Sequence, residues 1–568
     1  MALAFLPSPI PGAVGSAFIA ETKAPHLGLP CPAQFSDSYW AGRNVSLGST
    51  LLPAAFLATT YKIVRRARTQ RSRAATSCMM ATGKVTAVVA EPDLDVEPQA
   101  QTREQAFVWE KQWYPVLPLS YLDTTKPTAV QILGKRLAVW RHSSGWSCFE
   151  DSCPHRHAPL STGKMNSNGT LTCRYHGWSF DKDGGCCNVP MATSEKVSEQ
   201  ARSMQRTCAT SYPVQEAGGL LWVWLDSSKQ AWEESSQVAP AAVPELAEAD
   251  WTFQLQPLSY ESLVENCMDP SHAPFLHEGL QGQGLSLQSP DKATPILEFD
   301  LVGDLTKEGF ELEHSPYLKG QSATTKRIFK GPSMCEAVVE LPQFTFRAVL
   351  YFVPVGPYET RVMFHFPGYE PTLPEWSRHL PTEIQQTWLD IKHAAFVVGD
   401  IGYWQFNDQD RIAMEGQDRT RFRAPRPQAV DLALTPSDRG VAVFQRWLRS
   451  QAGGGPFGLD GQARGPVPLG PAPAGPEDAP RWRLHCAHCP KCRRAMLLCE
   501  QASIVCGQAA AVTLVSSGIV ACLGMPSIGV AAGAAALSLR WVSETAAEWR
   551  SLFFRADSVN RTEDVYMV

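Results

Sequence analysis

The alternation of apolar and polar positions divides this chain into stretches with different periods. From Ala106, short runs rich in Val, Leu, Trp and Phe (QILGKRLAVWR, GWSCFED, LTCRYHGWSFDKDG, LLWVWLD) are punctuated by Gly and Asp. Runs of that length bounded by turn residues predict an antiparallel, all-β domain over 106–230. A second series of strand-like runs fills Ala337–Pro367, and a helical pattern follows over 375–400. Residues 231–450 therefore predict an α+β domain, a sheet backed by helices. The aromatics of LYFVPV and MFHF read mainly as core, with lining of a substrate pocket as the other role open to them.

The C-terminal fifth changes character. Residues 451–481 are dense in Gly and Pro and behave as a linker. After a Cys-rich segment at 482–500, 38 consecutive positions from Ala502 to Leu539 carry no charge, with Gly524-Met525-Pro526 in their middle. One bilayer span needs only about 20 apolar residues. The pattern predicts a transmembrane helical hairpin over 501–542, with arms at 502–523 and 527–542 and small residues suited to close packing in lipid. The tail, 543–568, begins with a basic and aromatic segment suited to an interface.

Composition adds to this picture at the N-terminus. Before Ala81 there are eight Lys or Arg against two acids, with Arg65, Arg66, Arg68, Arg71 and Arg73 crowded together. Residues 1–80 thus read as an organelle transit peptide, and 81–105 as a flexible acidic linker. The whole chain, 568 residues and 44% apolar with a net charge of −5, is large enough for two or three cores. Without a basic domain, nucleic acid is excluded as the main partner. Sixteen cysteines without framework spacing point to a compartment that keeps thiols reduced.

The chemistry lies in three constellations. Cys153 and His155 form a CxH unit, and after 17 intervening residues Cys173 and His176 form a CxxH unit. Zinc fingers pair Cys with Cys and His with His. Here each loop offers one thiolate and one imidazole, which suits a [2Fe–2S] cluster with two cysteines on one iron and two histidines on the other. Downstream, ENCMDPSHAPFLH offers Asp269, His272 and His277; two imidazoles and one carboxylate with open positions make the facial triad of non-haem Fe(II) oxygenases. His272 and His277 are five apart, so the helix carrying them must distort or break for both to reach one metal. A third ligand would be a carboxylate from later in the chain, and FNDQDRIAMEGQ is the candidate stretch. Its resemblance to the E-D-x-x-x-x-E-x-Q helix of non-haem iron oxygenases implies Asp410 as that ligand, with Asp408 as the fallback.

The C-terminal RWRLHCAHCPKC holds Cys486, Cys489 and Cys492 with His485 and His488. A CxxC pair is either a dithiol redox pair or half of a zinc site. Cys489 and Cys492 are assigned here as a redox pair, with zinc held by His485 or His488 as the alternative.

CPHR…CRYHGW resembles the oxygenase branch of the Rieske proteins. N-x-x-D-x-x-H-x-x-x-x-H, fitted by Asn266, Asp269, His272 and His277, is similar to the mononuclear-iron motif of Rieske non-haem iron oxygenases. The resemblance implies a Rieske [2Fe-2S] domain followed by a helix-grip-like catalytic domain. His272, His277 and Asp410 would ligate Fe(II), Asn266 would lie near the iron, and Asp269 would bridge toward a Rieske histidine of a neighbouring subunit in a homotrimer. Gln409 stands where that family usually has an acid.

The full arrangement, from transit peptide to C-terminal CxxC and membrane segments, resembles the chloroplast pheophorbide a oxygenase group. That group includes the translocon-associated Rieske protein and protochlorophyllide-linked oxygenases; chlorophyllide a oxygenase is a further alternative. The likeness implies ferredoxin as electron donor, O2 and a chlorophyll-derived tetrapyrrole as substrates, and insertion of one oxygen atom, as in chlorophyll catabolism. It also implies a plastid membrane, inner envelope or thylakoid, and thioredoxin as a partner for the CxxC. The competing reading is a redox-sensing subunit of the import translocon with no turnover of its own.

Overall fold

The computed structural model describes residues 107–277, 296–316, 323–342, 345–365, 373–398, 403–422, 433–458 and 481–554. The expected transit segment, the acidic linker, most of the Gly/Pro linker and the end of the tail lie outside the described residues.

In the N-terminal domain, Thr128–Ile132, Lys135–His142, Gly145–Glu150 and Ser211–Tyr212 form one antiparallel sheet. Four short strands between Lys164 and Asn188 form a second. Outside these, Trp113–Pro118 and Val214–Ala217 flank Leu220–Trp224. Every residue of Trp113–Pro118 and of Leu220–Trp224 is buried. That explains why LLWVWLD shows no alternation: both faces are covered. Leu221, Trp222 and Val223 share one hydrophobic cluster with Val349, Tyr351 and Phe364 of the next domain, so the two domains are built on a common core.

The second domain centres on a seven-stranded antiparallel sheet of β1 (Thr252–Gln256), β2 (Phe299–Thr306), β3 (Gly309–His314), β4 (Thr324–Lys330), β5 (Met334–Glu340), β6 (Thr345–Gly356) and β7 (Glu359–His365). Their spatial order is β1-β7-β6-β5-β4-β3-β2. Tyr351, Phe352, Met363 and Phe364 are buried, which gives the aromatic runs their core role. Helix α1 (Tyr260–Met268) lies on β5 and β6, and α2 (Thr382–Val398), α3 (Tyr403–Arg421) and α4 (Arg439–Ser450) follow. α4 buries Phe444, Trp447 and Leu448. It approaches the end of α1 so closely that a Cβ on Gly440 would stand 2.3 Å from the Met268 carbonyl oxygen.

Two helices close the described chain, α5 (Pro490–Cys522) and α6 (Pro526–Leu552), packed antiparallel through small residues. The Ser543 hydroxyl donates to the Ser503 carbonyl at 2.7 Å and that of Ser517 to the Gly529 carbonyl at 2.6 Å. Only α5 is long and apolar enough, among the described residues, to cross a membrane. It also starts at Pro490 rather than 502, so the end of the Cys-rich segment, from Pro490 on, and the first expected arm are one continuous helix. The second helix is uncharged only from Pro526 to Leu539, about 21 Å at 1.5 Å per residue, short of a hydrocarbon core of about 30 Å.

Candidate functional site

The two cluster loops are built alike. In the first, the Cys153 N–H donates to the Ala158 carbonyl and the His157 N–H to the Cys153 carbonyl; in the second, Cys173 pairs the same way with Trp178 and Gly177. His157 and Gly177, the matching positions, both have positive φ, 57° and 76°. Asp151 braces the first loop by accepting the Ser161 N–H and hydroxyl, each at 2.7 Å.

These turns carry Cys153 and Cys173 into the domain core, 1% and 2% exposed, with their thiols against each other. His155 and His176 lie at the rim, ring centroids 4.7 Å apart, and His155 stacks on Trp178 at 4.8 Å. His155 Nδ1 is buried with no hydrogen-bond partner among the described residues. An imidazole nitrogen left in that state fits a metal ligand, and two inner thiolates with two rim imidazoles are the donor set of a Rieske cluster.

The second constellation assembles from three segments. α1 ends at Met268, Pro270–His272 continues as a 3-10 turn, and Ala273–Leu276 as a short α turn before His277. This break swings His272 and His277 together, ring centroids 5.3 Å apart, despite the five-residue spacing. α3 brings Asp410, whose Oδ1 lies 3.3 Å from His272 Nε2 and 3.2 Å from His277 Nε2. Two donors about 2.1 Å from one ion and at right angles lie about 3 Å apart. The three residues thus have the spacing of a facial metal site.

Each ring is oriented from behind. His272 Nδ1–H donates to the Asp269 carbonyl, and His277 Nδ1–H to Gln409 Oε1 at 3.0 Å, so both Nε2 atoms turn toward Asp410. An acceptor behind a ligating histidine fixes its tautomer, and here Gln409 provides it. The Asn266 amide donates to Asp410 Oδ1 at 3.1 Å. Burial alone would raise the Asp410 carboxyl, yet His272 and His277 hold it below the usual carboxylate range. Burial alone would lower the His272 imidazole, yet Asp410 and Asp269 together hold it above its ordinary value. A carboxylate so placed between two imidazoles suits a divalent cation. The Asp408 side chain lies outside the described residues.

α3 is also tied to α1 at its far end. Buried Asp418 accepts the Ser259 N–H at 2.8 Å, the Ser259 hydroxyl at 2.7 Å and the Ser262 hydroxyl at 2.6 Å, at the N-terminus of α1. Asp269 is partly exposed; its Oδ1 accepts the Ser271 N–H at 2.9 Å, and its Oδ2 lies 3.9 Å from His272 Nδ1.

The Cys489 and Cys492 pair has a setting that its sequence does not reveal. Both thiols are fully buried, and no disulfide joins them. His485 and His393 converge on them. His393 lies 96 residues before Cys489 and had no local signal in the sequence; His488 instead pairs with the Arg483 carbonyl. Disulfide exchange requires access for an attacking thiolate, which full burial withholds.

A model of the Rieske [2Fe-2S] domain matches residues 112–209. Pheophorbide a oxygenase, chloroplastic, of Oryza sativa subsp. japonica is 29% identical over 68% of this chain and 73% of its own length. Flavonoid 8-hydroxylase 2, chloroplastic, of Ocimum basilicum is 26% identical over 84% of this chain and 90% of its own. Protochlorophyllide-dependent translocon component 52, chloroplastic, of Arabidopsis thaliana is 34% identical over 34% of each chain.

Proposed function

We propose that this chain, which belongs to the Rieske non-haem iron oxygenases and within them to the chloroplast pheophorbide a oxygenase-like group, oxygenates a chlorophyll-derived tetrapyrrole in the plastid with ferredoxin-derived electrons. The observation that carries the reading is the convergence of His272, His277 and Asp410 from separate segments, downstream of a second metal site built for electron transfer. When bound, the cluster supplies single electrons and the mononuclear iron supplies dioxygen chemistry.

The chain's own residues do the rest. Cys153, Cys173, His155 and His176 hold the cluster at the rim of its domain. Asn266, the Asp269 carbonyl and Gln409 keep the three iron donors in place. The Asp269 carboxylate, partly exposed behind His272, is placed to accept a hydrogen bond from a Rieske histidine of a neighbouring copy. This makes the working unit an oligomer. α5 anchors the enzyme in a plastid membrane, which suits a lipophilic substrate.

A second reading, hydroxylation of a flavonoid-like aromatic, is favoured by the coverage of the basil relative, 84% of this chain. The test incubates purified protein with ferredoxin, its reductase, 18O2 and two panels, chlorophyll derivatives and flavonoids. Label in a tetrapyrrole is expected; label only in a flavonoid would move the assignment to the second reading. His272→Ala separates both from a redox-sensing subunit: product should vanish while the cluster's visible spectrum persists, and retained product would refute the role of His272.

A further inference from the structure

We infer that His393, His485, Cys489 and Cys492 form a zinc site that clips the C-terminal helices to the catalytic domain. Their ligand atoms lie within 4.8 Å of one another, and all four residues are buried. Cys489 Sγ is 3.5 Å from His393 Nε2, and Cys492 Sγ is 3.3 Å from His485 Nε2. For a tetrahedral zinc with bonds of about 2.3 Å to sulfur and about 2.0 Å to nitrogen, neighbouring sulfur and nitrogen atoms stand about 3.5 Å apart. The donors have that spacing.

The surroundings are those of a metal site too. His393 Nδ1 faces Asp250 Oδ2 at 3.2 Å, and His485 Nδ1–H donates to the Phe253 carbonyl. Both histidines therefore have Nδ1 engaged from behind and present Nε2 inward, the carboxylate–histidine and carbonyl–histidine arrangement that orients zinc ligands. The Cys492 N–H points to Cys489 Sγ at 3.4 Å, and the Tyr121 hydroxyl lies 3.3 Å from the same sulfur. Donors aimed at a sulfur stabilise it as a thiolate, the form that binds metal. Asp250 also takes Lys491, so it links both halves of the site.

Two thiolates and two imidazoles in tetrahedral spacing favour zinc over harder ions, and four protein donors leave no open position, so the site is structural. Binding releases one proton from each thiol that was protonated, and the histidine Nδ1 protons stay in place. The site gathers residues just before and within β1 (Asp250, Phe253), α2 (His393) and the start of α5. In this way it fixes the helix with membrane-spanning length to the domain that holds the mononuclear iron. The inference stands apart from the choice of substrate.

The test is metal analysis and zinc-edge X-ray absorption on the full-length protein. The expected result is about one zinc per chain, with two sulfur and two nitrogen scatterers at about 2.3 and 2.0 Å. Zinc misplaced at the His272/His277/Asp410 site would show no sulfur. His393→Ala and Cys492→Ser should each lower bound zinc at least tenfold while the Rieske spectrum persists, and His488→Ala and His272→Ala should leave the sulfur-ligated zinc intact. Should either ligand variant fail to fold, the wild-type scattering decides alone. Zinc below a tenth of an equivalent in protein with a full cluster, or a Cys489–Cys492 disulfide found by mass spectrometry, would overturn the inference.

Discussion

At the scale of single residues, the iron site depends on acceptors that stand behind its ligands. Gln409 accepts from His277, and an amide oxygen is sufficient because the ring needs an acceptor, not a charge. Gln409→Leu should weaken iron binding about 10- to 100-fold, whereas Gln409→Glu should keep it; an iron titration of apoprotein followed by activity measures both. The Rieske ligands and the His272/His277 pair were legible because each pair lies within a few residues of loop or turn, where spacing alone limits the geometry. Asp410 was only one of three acids in its run, with Asp408 and Glu415, and its selection depends on the rotation of α3.

At the scale of elements, two of the contacts that hold α1 against its neighbours bear directly on the metal site. Gly440 touches the Met268 carbonyl, one residue before the Asp269 turn. Gly440→Ala must push α4 away, and should cost about 1–3 kcal/mol of stability. Thermal unfolding should register that loss, and metal analysis a selective fall in mononuclear iron with the cluster retained. Asp418 fastens α3 to the N-terminus of α1 with three accepted hydrogen bonds. Asp418→Ala leaves three buried donors unsatisfied and should destabilise by about 3 kcal/mol, read from denaturant midpoints at unchanged slope. Neither contact was visible in the sequence, since a helical period locates a buried face without naming the element that covers it. The hairpin illustrates the same limit. Its uncharged run was legible, but the start of α5 at Pro490 follows from Cys489 capping that helix, and the short second arm follows from the charges beyond Leu539.

At the scale of the whole molecule, electron delivery is expected to cross between copies, since Asp269 faces outward from the iron site. Co-expressing a chain lacking a cluster, Cys153→Ser, with a chain lacking an iron ligand, His272→Ala, tests this directly. Mixed oligomers should regain a measurable fraction of wild-type turnover, while each variant alone should have none; silence in verified mixed oligomers would confine transfer to single chains. Removing the chain beyond Pro480 should release the protein from plastid membranes, but it should also lower the stability of the catalytic domain, because Arg481 and the His485 cluster are packed into it.

The sequence by itself determined the chemistry of the two iron centres and the order of the parts. Ligand types at short, fixed spacings dictate which ions can bind, and strand-length runs followed by helical ones dictate a β domain and then an α+β domain. Only the tertiary structure decided which distant groups meet: Asp410 with His272 and His277, Gln409 behind His277, and His393 beside Cys489. Contacts between residues about a hundred or more positions apart leave no mark on local periodicity. They arise when helices dock on a sheet, and that docking is set by the common core rather than by any motif.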